Sequence, residues 1–168
     1  IQVFELTRDG RTLVFNAATP ESGPTFGHLF VRPLESLEAS PIPGAENAGS
    51  LFLSPDGAYV GFRDPGGRTI QKIALAGGPA TTIADVGGEG GFQGATWGED
   101  GTIVYARAPY DGLMRVPDVG GVAEQLTSAA EGSAENHLSP HFLPGGQALL
   151  FVVARPNQPS QIVMLSMA

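Results

Sequence analysis

Short apolar runs, many alternating with polar residues at a period of two, fill the chain and are parted by turn residues. The clearest stretch is Leu51-Phe-Leu-Ser-Pro-Asp-Gly-Ala-Tyr-Val-Gly-Phe62, two strands hinged on Ser54-Pro-Asp-Gly57. Pro55 presets φ for a turn, Asp56 can bond its own backbone further on, and Gly57 accepts positive φ. The same grammar recurs at Thr7-Arg-Asp-Gly10, Gly98-Glu-Asp-Gly101 and, worn down, Leu143-Pro-Gly-Gly146. The first turn residue of each pair stands at 9, 56, 100 and 145, so the spacings are 47, 44 and 45 residues.

Four units follow from that period, at about 1–44, 45–86, 87–128 and 129–168 of one domain, 1–168. The second unit is the cleanest, with strands expected at Ser50–Leu53, Ala58–Arg63, Thr69–Leu75 and Ala80–Ala84. The third repeats the order at Gly94–Trp97, Thr102–Ala106, Gly112–Val116 and Ala123–Thr127. The first has Val3–Leu6, Arg11–Phe15, His28–Pro33 and a weak edge strand at Ser40–Pro43, where prolines belong. The fourth has Ser139–Phe142, Gln147–Val153 and Gln161–Leu165, and too few residues remain for a fourth strand. Four antiparallel strands per unit, repeated every forty-odd residues, predict an all-β fold of β-propeller blades, about four per chain. A β-sandwich is the competing architecture, but it has no reason to repeat its hairpin at one period.

Composition agrees: 24 Gly and 14 Pro suit many short strands and tight turns, and 42% hydrophobic residues suit a packed core. The net charge of −8 argues against a nucleic-acid partner, whose phosphates need Lys and Arg, and against an anionic membrane surface. Leu149-Leu-Phe-Val-Val-Ala154 is too short for a helix to cross a bilayer and is broken by Arg155-Pro156, so no membrane insertion by this chain is expected. Without cysteine there is no disulfide or thiol chemistry, which fits either side of a bacterial membrane.

Ser54-Pro-Asp-Gly57 between its apolar strands resembles the WD40-like (PD40) repeat of the TolB propeller family. Leu29-Phe-Val-Arg-Pro-Leu-Glu-Ser-Leu37, Lys72-Ile-Ala-Leu-Ala-Gly-Gly-Pro79, Met114-Arg-Val-Pro117 and His141-Phe-Leu-Pro-Gly-Gly146 are similar to segments of propellers fused behind bacterial serine/threonine protein kinases. That resemblance implies a sensory or scaffolding region of a bacterial signalling protein, periplasmic or extracellular, and more blades than four. It implies no kinase activity, since neither a glycine-rich loop with its Lys nor a His-Arg-Asp loop is present, and the Gly-x-Ser-x-Gly of prolyl-oligopeptidase-type enzymes is missing too.

Blades cover one another face to face, so an array of four has two bare apolar faces unless it closes. Two copies joined through their terminal blades would give eight, and a homodimer is the expected partner. Gln161–Leu165 is an unpaired edge in the same account.

Ligands of propellers usually meet the rim where the inner strands begin. Aligning the units on their turns brings Asn47, Ser50, Gln93, Glu135, Asn136 and His137 to that rim, with His141 further along. If the strand is regular, His137 and His141 share a face. Two such histidines, with His28 in another unit, fall short of a zinc ligand set, so neither metal nor cofactor is expected. The turn aspartates Asp9, Asp56, Asp100 and Asp118 already stabilise their own turns, and Ser139 has no demonstrable acid or oxyanion donor. Trp97 aligns with Leu6, Leu53 and Phe142, positions that pack. The expected function is a non-catalytic binding module for a protein, peptide or small ligand. The rivals are a hydrolase or lyase using Glu135, His137 and His141, and a purely architectural self-associating half-propeller.

Overall fold

A computed structural model describes residues 3–18, 27–87, 91–107, 112–130 and 132–167. They form fifteen strands and no helix among the described residues: β1 (Val3–Leu6), β2 (Thr12–Ala17), β3 (His28–Pro33), β4 (Ser40–Pro41), β5 (Leu51–Leu53), β6 (Tyr59–Arg63), β7 (Thr69–Ala74), β8 (Thr81–Asp85), β9 (Phe92–Trp97), β10 (Thr102–Arg107), β11 (Leu113–Pro117), β12 (Glu124–Gln125), β13 (Asn136–Phe142), β14 (Ala148–Ala154) and β15 (Gln161–Ser166). Consecutive strands pair antiparallel into four sheets, β1–β4, β5–β8, β9–β12 and β13–β15, the last with three strands among the described residues. Two compact units result, Ile1–Asp85 and Val86–Ala168, each holding two sheets.

The hairpin turns that set the repeat share one polar device. Thr7 Oγ1 donates to Asp9 Oδ1 at 2.6 Å and accepts the Thr12 N–H, while the Arg11 N–H bonds Asp9 Oδ1. Ser54, Asp56, Ala58 and Tyr59 repeat it bond for bond, with Ser54 Oγ to Asp56 Oδ1 at 2.5 Å. The Thr7 and Ser54 hydroxyls, with the backbone N–H two residues after each Asp, hold Asp9 and Asp56 below the ordinary 3.8. The third turn is a residue tighter: Gly98 bonds Thr102, four residues on, where Thr7, Ser54 and Leu143 each bond five on. There Asp100 serves Thr102 through both its N–H and its hydroxyl. In the fourth turn backbone bonds alone close Leu143–Ala148.

Alternation then sorts the side chains. In the first unit Val14 and Leu29 of one sheet meet Leu51, Val60 and Phe62 of the next in a single core that Ile42, Ala45 and Ala48 extend between them. In the second unit Val104, Ala106 and Leu113 meet Phe142, Leu149, Phe151 and Val153. Trp97 is buried, as expected of a packing residue. The outer strands β4 and β12 are two residues each, shorter than the expected Ser40–Pro43 and Ala123–Thr127. The inner strands β9 and β13 begin earlier than expected because each carries a β-bulge.

The turn device yields a direct expectation. Ser54→Ala leaves the Tyr59 N–H without its side-chain acceptor in a part-buried turn, and is expected to cost about 1–2 kcal/mol. The check is the urea midpoint of the variant against the parent at neutral pH; an unchanged midpoint would refute the role.

Candidate functional site

The bulges shape the start of the inner strands in the second unit. Gln93 and Gly94 together oppose one residue of β10, and Ser139 and Pro140 together oppose one residue of β14. Gly94 (φ 106°) and Ser139 (φ 50°) are in the left-handed region, and a Cβ at Gly94 would lie 3.2 Å from the Ser139 Cα. Glycine at 94 therefore serves both its own φ and the close approach of β13.

The bulge also changes the parity of β13. His137 is buried and pairs with Val153, whereas His141 is exposed, pairs with Leu150 and lies at the turn end of the strand. The expected shared face for the two histidines is thus overturned: a strand with one extra residue cannot keep both on the same side. His28 begins β3, in the other unit. No group of three or more His, Asp or Glu among the described residues is arranged to hold a metal ion.

His137 is instead the centre of a buried polar chain. Arg155 Nη2 lies 2.5 Å from Glu135 Oε2, and Glu135 Oε1 lies 2.8 Å from His137 Nε2. His137 Nδ1 is 2.6 Å from Thr127 Oγ1, which accepts the Leu113 N–H at 2.8 Å. The His137 hydrogen bond first, and then Arg155, hold the Glu135 carboxyl below the ordinary 4.5 against the opposing effect of burial. An ionised carboxylate only accepts, so His137 Nε2 donates to Glu135, and Nδ1 shares its hydrogen bond with the Thr127 hydroxyl. The imidazole also leans on Phe151, with ring centroids 4.9 Å apart.

Four backbone segments are tied by this chain: the start of β11, the run after β12, the lead into β13 and the residue after β14. Gly112 is required where Leu113 and Thr127 meet, since a Cβ there would lie 1.7 Å from the Thr127 carbonyl oxygen. A hydroxyl–imidazole–carboxylate sequence is the skeleton of a nucleophilic triad. Here the imidazole is 5% exposed, and the same bonds hold the four segments together.

The remaining predicted rim residues divide between the units. Asn47 (φ 57°) and Ser50 are exposed in the first, where Ser50 O accepts from the Arg63 N–H. In the second, Gln93 is exposed and Asn136 half-buried, close to the starts of β9 and β13. Glu135 and His137 are brought together but withdrawn from solvent. At the opposite, turn end lies an open depression of about 370 Å³ lined by Glu99, Asp100, Gly145, Gly146, Gln147 and Met167. Sequence reasoning missed Thr127 and Arg155. The one local signal was an Arg closing an otherwise apolar strand, and nothing in the spacing announces that Thr127 meets His137.

Among solved structures the chain is similar to a TolB-type protein from Agrobacterium tumefaciens, with TM-score 0.79, 17% identity and 98% of this chain matched to 60% of that one. Against TolB from Acinetobacter baumannii the TM-score is 0.77, with 13% identity and 98% of this chain matched to 40% of that one. The fold is that of a β-propeller. The Swd1 propeller domain from Myceliophteria thermophila agrees, with TM-score 0.68, 16% identity and 97% of this chain matched to 51% of that one. The chain thus spans 60% or less of the length of these propellers. No protein-family model matches it, and no curated protein sequence does.

Removing the imidazole takes one of two partners from the buried Glu135 carboxylate, so His137→Ala is expected to lower stability by about 2–4 kcal/mol, read from denaturant unfolding. Because the folded-state value of Glu135 is depressed, its contribution is complete above pH 4.5 and falls away as pH drops through the folded value. Glu135→Gln should flatten that acid limb of the stability profile; a limb of unchanged steepness would exclude Glu135 as its source.

Proposed function

We propose that the chain is a non-catalytic β-propeller binding module whose ligand surface is the polar rim at the start of the inner strands. In the second unit that rim is Gln93 and Asn136, continued along β13 by Ser139 and His141; Asn47 and Ser50 are its counterparts in the first. The observation that carries this reading is the anchoring of Glu135 and His137 on either side of Asn136. With both neighbours fixed, Asn136 is pre-organised, which lowers the ordering cost of binding. The strongest acid–base pair in the unit is meanwhile occupied internally, which disfavours the hydrolase or lyase alternative.

The finer setting rests on resemblance. Similarity to propellers fused behind bacterial protein kinases supports a sensory or scaffolding role in a signalling protein, and similarity to TolB supports a location outside the cytoplasmic membrane. A protein, peptide or small neutral ligand suits a rim built from amides and hydroxyls.

Screening the purified chain against immobilised peptide and glycan arrays tests the module. Asn136→Ala and Gln93→Ala are each expected to weaken an identified ligand about tenfold, about 1.4 kcal/mol, the exposed Gln93→Ala without moving the melting temperature. Turnover of an ester or glycoside that disappears in His137→Gln while the fold persists would establish the enzyme reading instead.

A further inference from the structure

One face of the first sheet combines apolar side chains with a charge that nothing in the sheet answers. Val14 and Leu29 are buried, and Val31 packs with them against the second sheet. Alternation turns the intervening residues to the other side. Two cross-strand rows result there, Phe4–Phe15–Phe30 and Leu6–Leu13–Arg32. Phe15 and Phe30 stack with ring centroids 5.5 Å apart, while Phe4 and Leu6 are 65% and 47% exposed.

Arg32 is half-buried, and its Nε is enclosed without a hydrogen-bond partner. Glu5 is the one acidic residue of β1 to β4, and its register with Val14 and Val31 places it on the opposite face. The row that ends in a guanidinium therefore holds no carboxylate. An arginine N–H withdrawn from water without an acceptor is costly, and a planar carboxylate is the group that matches a guanidinium best.

The equivalent place in the second sheet shows what the charge changes. Thr7–Thr12 and Ser54–Tyr59 are turns of one length with the same closing bond. Counting from them, Leu6–Leu13–Arg32 corresponds to Leu53–Val60–Ile73. Ile73 is 1% exposed, in the core between the two sheets. An apolar neighbour suits Ile73, but the same neighbour laid over Arg32 would bury an unpaired charge. The aromatic row asks for apolar contact, and the arginine beside it asks for an acid.

We infer that this face of the first sheet docks a protein segment that sets a Glu or Asp carboxylate against Arg32 and an apolar side chain against the Phe4–Phe15–Phe30 row. The two rows stand two residues apart on each strand. That is about 7 Å, the spacing of neighbouring side chains on one face of an extended segment. A small molecule suits the surface less well, because an open sheet face gives it no enclosure. The rim residues take no part, so the inference stands apart from the proposed ligand surface.

Selection of a phage library of random peptides on the whole chain tests it. Recovered peptides are expected to be enriched in Glu or Asp with an apolar residue two positions away. That enrichment would run against the net charge of −8, which by itself repels acidic peptides. With one recovered peptide made synthetically, replacing its acid by the amide and Arg32→Gln in the chain should each weaken binding about tenfold. Combined, they should weaken it no further than either alone, as a single pair requires. Asn136→Ala should leave the binding unchanged. Arg32→Leu should leave the urea midpoint of the free chain unchanged or raise it, since no partner is lost. An empty selection, peptides without an acidic preference, or binding indifferent to Arg32→Gln would overturn the inference. A lowered midpoint in Arg32→Leu would overturn it too, by showing that the guanidinium already has its partner within the chain.

Discussion

Both faces of each blade-type sheet carry apolar side chains, and a sheet of that kind is stable only when it is covered twice. The demand is clearest in β10, where Ile103, Val104, Tyr105 and Ala106 are all fully buried although successive residues point to opposite faces. β14 has as apolar a sequence, Ala-Leu-Leu-Phe-Val-Val-Ala, yet only Leu149, Phe151 and Val153 are buried. One face of β14 is packed, and Leu150 and Val152 on the other are only half-buried.

The turns show why the repeat survives large changes in sequence. Two of the four close with a hydroxyl and an aspartate, one with an aspartate and a threonine, and one with backbone bonds alone. What is common to all four is a glycine of positive φ, and three also share the same closing bond. Spacing of these turns was legible because the path demands Gly at one place and favours Asp just before it. Strand order followed from that spacing. The bulges at Gln93–Gly94 and Ser139–Pro140 did not, since a bulge adds one residue without any obligatory signature when the partner strand is unknown. That single residue separates His137 from His141.

Candidate polar residues were legible only in part, for a related reason. Glu135, Asn136 and His137 are adjacent in sequence and so were visible together. Thr127 and Arg155 reach them across the sheets, and long-range pairings of this type leave no periodic trace.

The chain Arg155–Glu135–His137–Thr127 also explains how a charged group is retained in an interior that would otherwise reject it. An isolated carboxylate out of water is costly, and a lone arginine beside it leaves one oxygen unmatched. His137 supplies the second donor, and its own remaining nitrogen is matched by Thr127, whose oxygen is in turn matched by the Leu113 N–H. Each link satisfies the polarity left over by the one before, ending on a backbone amide.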